Sequence, residues 1–184
     1  MVDATKQHML SELDNASQQY LTFIMENEEY GVDILSVQEI RGWEPTTVIP
    51  NSPPHVKGVI NLRGTIVPII DLRQRFGIKT LEYGATTVVI VVKVATNNGQ
   101  KIIGIVVDAV SDVFSVNESD MRKAPDFGPE TDLRFLKGLT NVGEKMVILL
   151  DINMLLGNEV LPDASKLSQL INELDTQQPQ AVNG

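Results

Sequence analysis

The chain has 184 residues, 42% hydrophobic and 21% charged, which is the balance of a globular protein and not of a disordered or fibrous one. A chain of this length buries about 70% of the surface its unfolded form exposes, enough for a real core in one or two small domains. Cysteine is absent, which excludes disulfides and thiolate chemistry, and 15 basic against 24 acidic residues give a formal charge of -9, which speaks against a general binder of nucleic-acid backbone.

Residues 1–19 carry no apolar run of the signal-peptide kind. The longest hydrophobic runs, such as Thr87 to Val92 and Met146 to Leu150, are too short to span a bilayer, so a cytoplasmic address without membrane insertion is expected. Charge is uneven: residues 1–40 hold eight acids and one base, residues 41–80 six bases and two acids. An anion-seeking face should come from the second block.

In chain order, a polar head at 1–18 precedes alternating residues Tyr20 to Met25. A turn at Glu26 to Glu29 then leads to a strand with Tyr30, Val32 and Ile34 on one face, a predicted hairpin. Further strands are expected at Val37 to Trp43, Val59 to Leu62, Thr65 to Ile70, Thr87 to Thr96, Lys101 to Val107, Val110 to Phe114 and Met146 to Leu150, with a turn at Asn97 to Gly99. Helical spacing comes late: Leu167, Leu170, Ile171 and Leu174 follow Asp163, a plausible N-cap, and predict a short helix over 161–176 before a frayed tail at 177–184. The class is all-β.

The chain repeats itself. Lys57 to Gly77 (KGVINLRGTIVPIIDLRQRFG) aligns without gaps to Lys137 to Gly157 (KGLTNVGEKMVILLDINMLLG), an offset of eighty with six identities in twenty-one. A weaker echo pairs Gly31, Val32, Val37 and Ile40 with Gly104, Ile105, Val110 and Val113 at an offset of seventy-three. Two tandem modules of about five strands follow, the first about 19–85 and the second about 86–150. Units this small remove their exposed edges by closing into barrels. Asp71 to Gly77 and Asp151 to Gly157 both read as N-cap, one or two helical turns and a C′ glycine.

Chemistry-bearing patterns are scarce. There is no phosphate loop, dinucleotide fingerprint, nucleophile elbow or EF-hand. His8 and His55 are the histidines, too few for a His-based metal site or triad, and Asp71 and Asp151 read as caps before catalysts. No catalytic residue, metal or cofactor is expected. What stands out is the strand at Val37 to Trp43, where the face Val37, Glu39, Arg41, Trp43 mixes apolar and charged groups. Arg63 joins it, at the tip of the Asn61 to Thr65 turn with its fork free for a carboxylate. An exposed edge with ion pairs and an interface are both readings of that face.

The strings YGVDILSVQEIRGW, PPHVKGVINLRGTIVPIIDLRQRFG, TVVIVV and IGIVVDAVSDV resemble the CheW family of bacterial chemotaxis coupling proteins over about Gln19 to Leu156. The resemblance implies two SH3-like five-stranded barrels in a domain at 19–160. It also implies a non-catalytic adaptor, monomeric in isolation, joining the cytoplasmic tip of methyl-accepting chemoreceptors to the regulatory domain of the histidine kinase CheA. Family contact positions fall on Val37, Glu39, Gly58 and Arg63, and further on Ile34, Thr87 and Val113; the resemblance does not divide them between receptor and kinase. The chain carries neither a receiver domain nor a kinase core, the marks of the related CheV and CheA proteins. A CheW-like adaptor of another pathway, for pilus motility or second-messenger control, and a small-ligand binder using the groove between barrels are the competing readings.

Overall fold

Runs of Val and Ile with buried side chains on both pleat faces make the central strands of this protein, and turns with left-handed residues join them. The computed structural model describes residues 18–125, 128 and 133–159. Within them lie β1 (Gln18–Met25), β2 (Glu28–Asp33), β3 (Val37–Gly42), β4 (Val56–Leu62), β5 (Thr65–Asp71), β6 (Val88–Thr96), β7 (Gly99–Val107), β8 (Ala109–Val116), β9 (Leu136–Val142) and β10 (Lys145–Leu150). Two short helices, α1 (Leu72–Arg75) and α2 (Ile152–Leu156), each follow a hairpin. Gln18, placed in the head by the sequence reading, opens β1; residues 1–17, the helix expected at 161–176 and the tail at 177–184 lie outside the described residues.

The strands form two five-stranded sheets, β8-β1-β2-β10-β9 and β3-β6-β7-β5-β4. Each closes on itself through one isolated bridge: Thr47, after β3, pairs with Val59 of β4, and Arg122, after β8, with Leu139 of β9. The two barrels are built alike. Parallel pairing joins Gly31 to Leu149 and Val32 to Leu150 in one, and Gly104 to Ile69 and Ile105 to Ile70 in the other, so the offsets of eighty and seventy-three meet in the same ladder position.

The division expected near residues 85 and 86 is not the one the sheets make. The barrel of β3 to β7 is continuous in sequence and sits between β2 and β8 of the other barrel. The reason is an exchange: each repeat lends its first hairpin to the barrel that holds the other repeat's remaining three strands. Repeat alignment identifies equivalent strands but does not say which copy they pair with.

Alternation divides the apolar residues among three cores. Val67, Ile69, Val89, Val91 and Val106 fill the inserted barrel; Tyr20, Val116, Val147 and Leu149 fill the other. Their neighbours in the same strands, including Leu21, Phe23, Ile70, Ile90, Val92, Ile105 and Leu150, face the opposite way and form one core shared by both sheets, capped by Leu72, Leu155 and Leu156 of the two helices.

The caps agree with the sequence reading in part. The Asp71 carboxylate accepts from the Gln74 amide at 3.3 Å, and Gly77 takes the left-handed φ of 71° that ends such a turn. The Asp151 carboxylate accepts from the amides of Asn153 and Met154, but Gly157 stays right-handed at φ -65°; a side chain there would crowd the Asn153 and Ala95 carbonyls. Close packing, not turn geometry, explains that second glycine.

Candidate functional site

Strand β3 is the outer strand of its sheet, paired with β6 on one side. Its first residue, Val37, stands opposite Val92, whereas Glu39 stands opposite Val91, so Gln38 is the extra residue of a β-bulge. The bulge undoes the expected single face. Val37 packs toward the shared core, while Glu39, Arg41 and Trp43 follow Val91 and Val89 to the side of the inserted barrel's own core.

Glu39 has one arginine on each carboxylate oxygen. The Arg63 Nη2 donates to Oε2 at 2.9 Å and the Arg41 Nη1 donates to Oε1 at 3.1 Å, while the Arg41 Nη2 lies 3.6 Å from Glu44 Oε2. The Arg63 hydrogen bond, then the charges of both arginines, outweigh partial burial and hold the Glu39 carboxyl below the usual carboxylate range. Arg63 occupies the tip of the β4–β5 hairpin at φ 50°, and the Asn61 side-chain oxygen accepts from the Gly64 amide, closing the turn. Its side chain is 75% exposed, against 26% for Glu39 and 29% for Arg41. Ile40, between the two charged residues, turns outward and is 45% exposed.

The remaining positions implied by the resemblance are spread over the fold. Ile34 lies in the 3₁₀ turn between β2 and β3 and packs on the shared core. Val113 is exposed, but on β8 of the other sheet, opposite Leu21. Thr87 is buried: its hydroxyl accepts from the Gly84 amide at 2.9 Å and its carbonyl from the Trp43 amide at 3.1 Å.

Gly58 is also buried. It has φ 131°, and a Cβ there would stand 2.1 Å from the Thr47 carbonyl oxygen. The position lets the closing bridge cross β4, so its work is internal to the barrel. The sequence brought out Glu39, Arg41 and Arg63 but not their contact, and it passed over Ile40, whose one signal was an isoleucine in the otherwise polar QEIRG stretch.

Apart from Glu39, the groups with shifted acidity lie elsewhere and are built into the fold. The Arg73 guanidinium, 6% exposed, donates from Nε to Asp108 Oδ1 at 2.6 Å, from Nη1 to Glu26 Oε2 at 2.6 Å and from Nη1 to the Lys79 carbonyl at 2.8 Å. Burial raises the Asp108 carboxyl, and the bonds from Arg73 and from the Glu26 amide more than reverse this, leaving it below its ordinary value. Tyr83, whose acidity is lowered by burial and by its hydrogen bond to Asp71, packs against Trp43 with the rings tilted at 47° and their centroids 4.2 Å apart. His55 bonds Glu159 at 2.9 Å beside Arg75, which also pairs with Glu159. Among the described residues there is no group of three or more His, Asp or Glu placed to hold a metal, and no helix is long and apolar enough to cross a membrane.

Comparison with known proteins agrees over nearly the whole described chain. The family model of the CheW-like domain matches residues 19–160. The chemotaxis protein CheW of Klebsiella aerogenes is 50% identical over 146 residues, covering 79% of this chain and 86% of the relative. That of Rhizobium meliloti is 35% identical over 147 residues, covering 80% and 92%. The crystal structure of the scaffolding protein TtCheW from Thermoanaerobacter tengcongensis superposes with a TM-score of 0.69 at 31% identity, over 80% of this chain and 99% of that one. With its paired five-stranded barrels and family match, the chain belongs to the CheW-like family and is a scaffold protein of bacterial chemotaxis.

Proposed function

We propose that the protein is a non-catalytic cytoplasmic adaptor that couples methyl-accepting chemoreceptors to the histidine kinase CheA. The observation that supports this most directly is the meeting of Glu39 and Arg63, two partner positions implied by the resemblance, in one surface ion pair on the outer strand of the sheet. Exposed charges of this kind give specificity at reversible affinity. The buried groups of unusual acidity serve as caps and inter-element ties, so the reading asks no chemistry of them.

The adaptor acts by position. If it holds receptor and kinase together, a change of receptor conformation becomes a difference in free energy between the active and inactive kinase, without the adaptor itself reacting. A core shared between both barrels suits this, because a contact on one is then held in fixed relation to a contact on the other.

The test is reconstitution of the purified protein with CheA and a receptor cytoplasmic fragment from the same organism, read as kinase autophosphorylation. Stimulation only in the three-part mixture is expected, and Arg63→Glu should abolish it while leaving the melting temperature within about 2 °C, as for an exposed charge. Failure of the wild-type chain to bind either protein overturns the reading.

A further inference from the structure

We infer that Arg41 is a positioning residue for Arg63, acting through the Glu39 carboxylate, and that the three side chains form one recognition unit instead of a pair with a bystander. The inference extends the proposed partner site, but its core claim can be read in the free protein.

Glu39 and Arg41 are two apart on β3, on the same side beyond the bulge, opposite Val91 and Val89. Arg41 takes Oε1 and leaves Oε2 to Arg63, so the carboxylate is gripped at both ends and its χ3 rotation is stopped. Glu44 lies on the far side of the Arg41 fork, extending the row to Glu44, Arg41, Glu39, Arg63. Among the described residues, Glu39 supplies the hydrogen bond that holds the Arg63 side chain, which is otherwise three-quarters exposed at a hairpin tip. A guanidinium anchored at one nitrogen keeps its other donors in fixed directions, which is what bidentate recognition of a carboxylate on a protein partner requires.

Exposed ion pairs add little to stability. The Arg41 contacts are therefore expected to matter for orientation, and a separation of binding from folding is the mark to look for.

The experiment uses the full chain and the variants Arg41→Gln, Arg41→Lys, Arg63→Gln and Arg41→Gln/Arg63→Gln. In the free protein, carboxylate NMR of Glu39 and the Nε signal of Arg63 are followed against pH. Arg41→Gln should raise the Glu39 titration midpoint and collapse the Arg63 signal toward its solvent-averaged position. Arg41→Lys should restore the Glu39 midpoint in part. Affinity for the receptor cytoplasmic fragment and for CheA is then measured separately. Arg41→Gln should weaken the partner that Arg63→Gln weakens, by about tenfold, and the double variant should be no weaker than Arg63→Gln alone, as for coupled neighbours.

An unchanged Arg63 signal in Arg41→Gln overturns the inference, whatever binds. So does a double variant whose loss is the product of the single losses. Absence of wild-type binding to both proteins refutes the adaptor reading instead, and leaves the positioning claim to be decided by the free-protein signals.

Discussion

At the scale of single residues, the strongest internal tie is Arg73. It joins α1 to the β1–β2 turn through Glu26, to the β7–β8 junction through Asp108 and to the loop after α1 through the Lys79 carbonyl. Removing one partner of a buried ion pair leaves the other charge uncompensated, so Arg73→Ala should cost about 3 kcal/mol at pH 7 and lower Tm by about 10 °C. The pH dependence follows from Asp108. Its folded pKa lies below the ordinary carboxylate value, so the stability it adds is complete above about pH 4 and is lost as the pH falls through the folded value. Denaturant titrations of wild type and Arg73→Ala should therefore converge in acid and diverge toward neutrality; a gap independent of pH would refute the assignment. Gly58 offers the complementary case. Gly58→Ala should lose more than about 2 kcal/mol through left-handed strain and the clash with Thr47, so any loss of partner binding will track the unfolded fraction. Arg63→Gln, in contrast, should lose binding with the melting curve unmoved. The role of Arg73 was not legible in sequence, because Arg73, Asp108 and Glu26 are brought together by tertiary contact across 35 and 47 positions; a glycine such as Gly58 does signal a close backbone approach, but not that the neighbour is a carbonyl eleven residues before it.

At the scale of elements, the repeat carried most of the legible information. Strand β9 has a mixed sequence, LKGLTNV, and is not among the strands read from alternation, yet the eighty-residue offset from the strand expected at Val59 to Leu62 falls on its second half, and the observed β4 and β9 match over their full length. The bulge at Gln38 had no such signal, since it arises from the register of β3 on β6, and so the face of Val37 was misassigned. The two caps show how equal sequence positions come to carry unequal loads. Asp151 satisfies two helix amides, whereas buried Asp71 satisfies one and also accepts from the Tyr83 hydroxyl, which holds the loop between α1 and β6. Asp151→Ala should then cost about 1 kcal/mol, the ordinary value of a lost cap. Asp71→Ala should cost about 2 to 3 kcal/mol, because the half-buried Tyr83 hydroxyl loses its partner as well. Urea titration in a Tyr83→Phe background checks the cause: the excess cost of Asp71→Ala should disappear there, and its persistence would mean that the cap alone carries the difference.

At the scale of the whole molecule, the exchange of hairpins decides how the protein unfolds. Two tandem barrels joined by a linker could melt one at a time. Here β1 and β2 pair with strands about ninety to one hundred and twenty residues away, and the barrel of β3 to β7 is inserted between them, so neither barrel can open without disturbing the core that both share. Val67→Ala, inside the inserted barrel, and Val147→Ala, inside the other, each leave a small cavity in a fully buried site and should each cost about 2 kcal/mol. In a cooperative two-barrel unit both substitutions shift one and the same transition, with calorimetric and van't Hoff enthalpies equal for the described domain. Two resolved transitions, each moved by only one of the substitutions, would show that the barrels are thermodynamically separate. The distinction bears on function, because a scaffold that fixes one partner relative to another needs its two contact surfaces on a single body. Long-range pairing also makes the native state slow to reach, so refolding should proceed on the millisecond-to-second scale of β proteins rich in non-local contacts. The same two valine variants distinguish what forms early: stopped-flow refolding should slow more for the variant in the contiguous inserted barrel, whose strands are nearer in sequence, and the discontinuous barrel should show its cost mainly in faster unfolding.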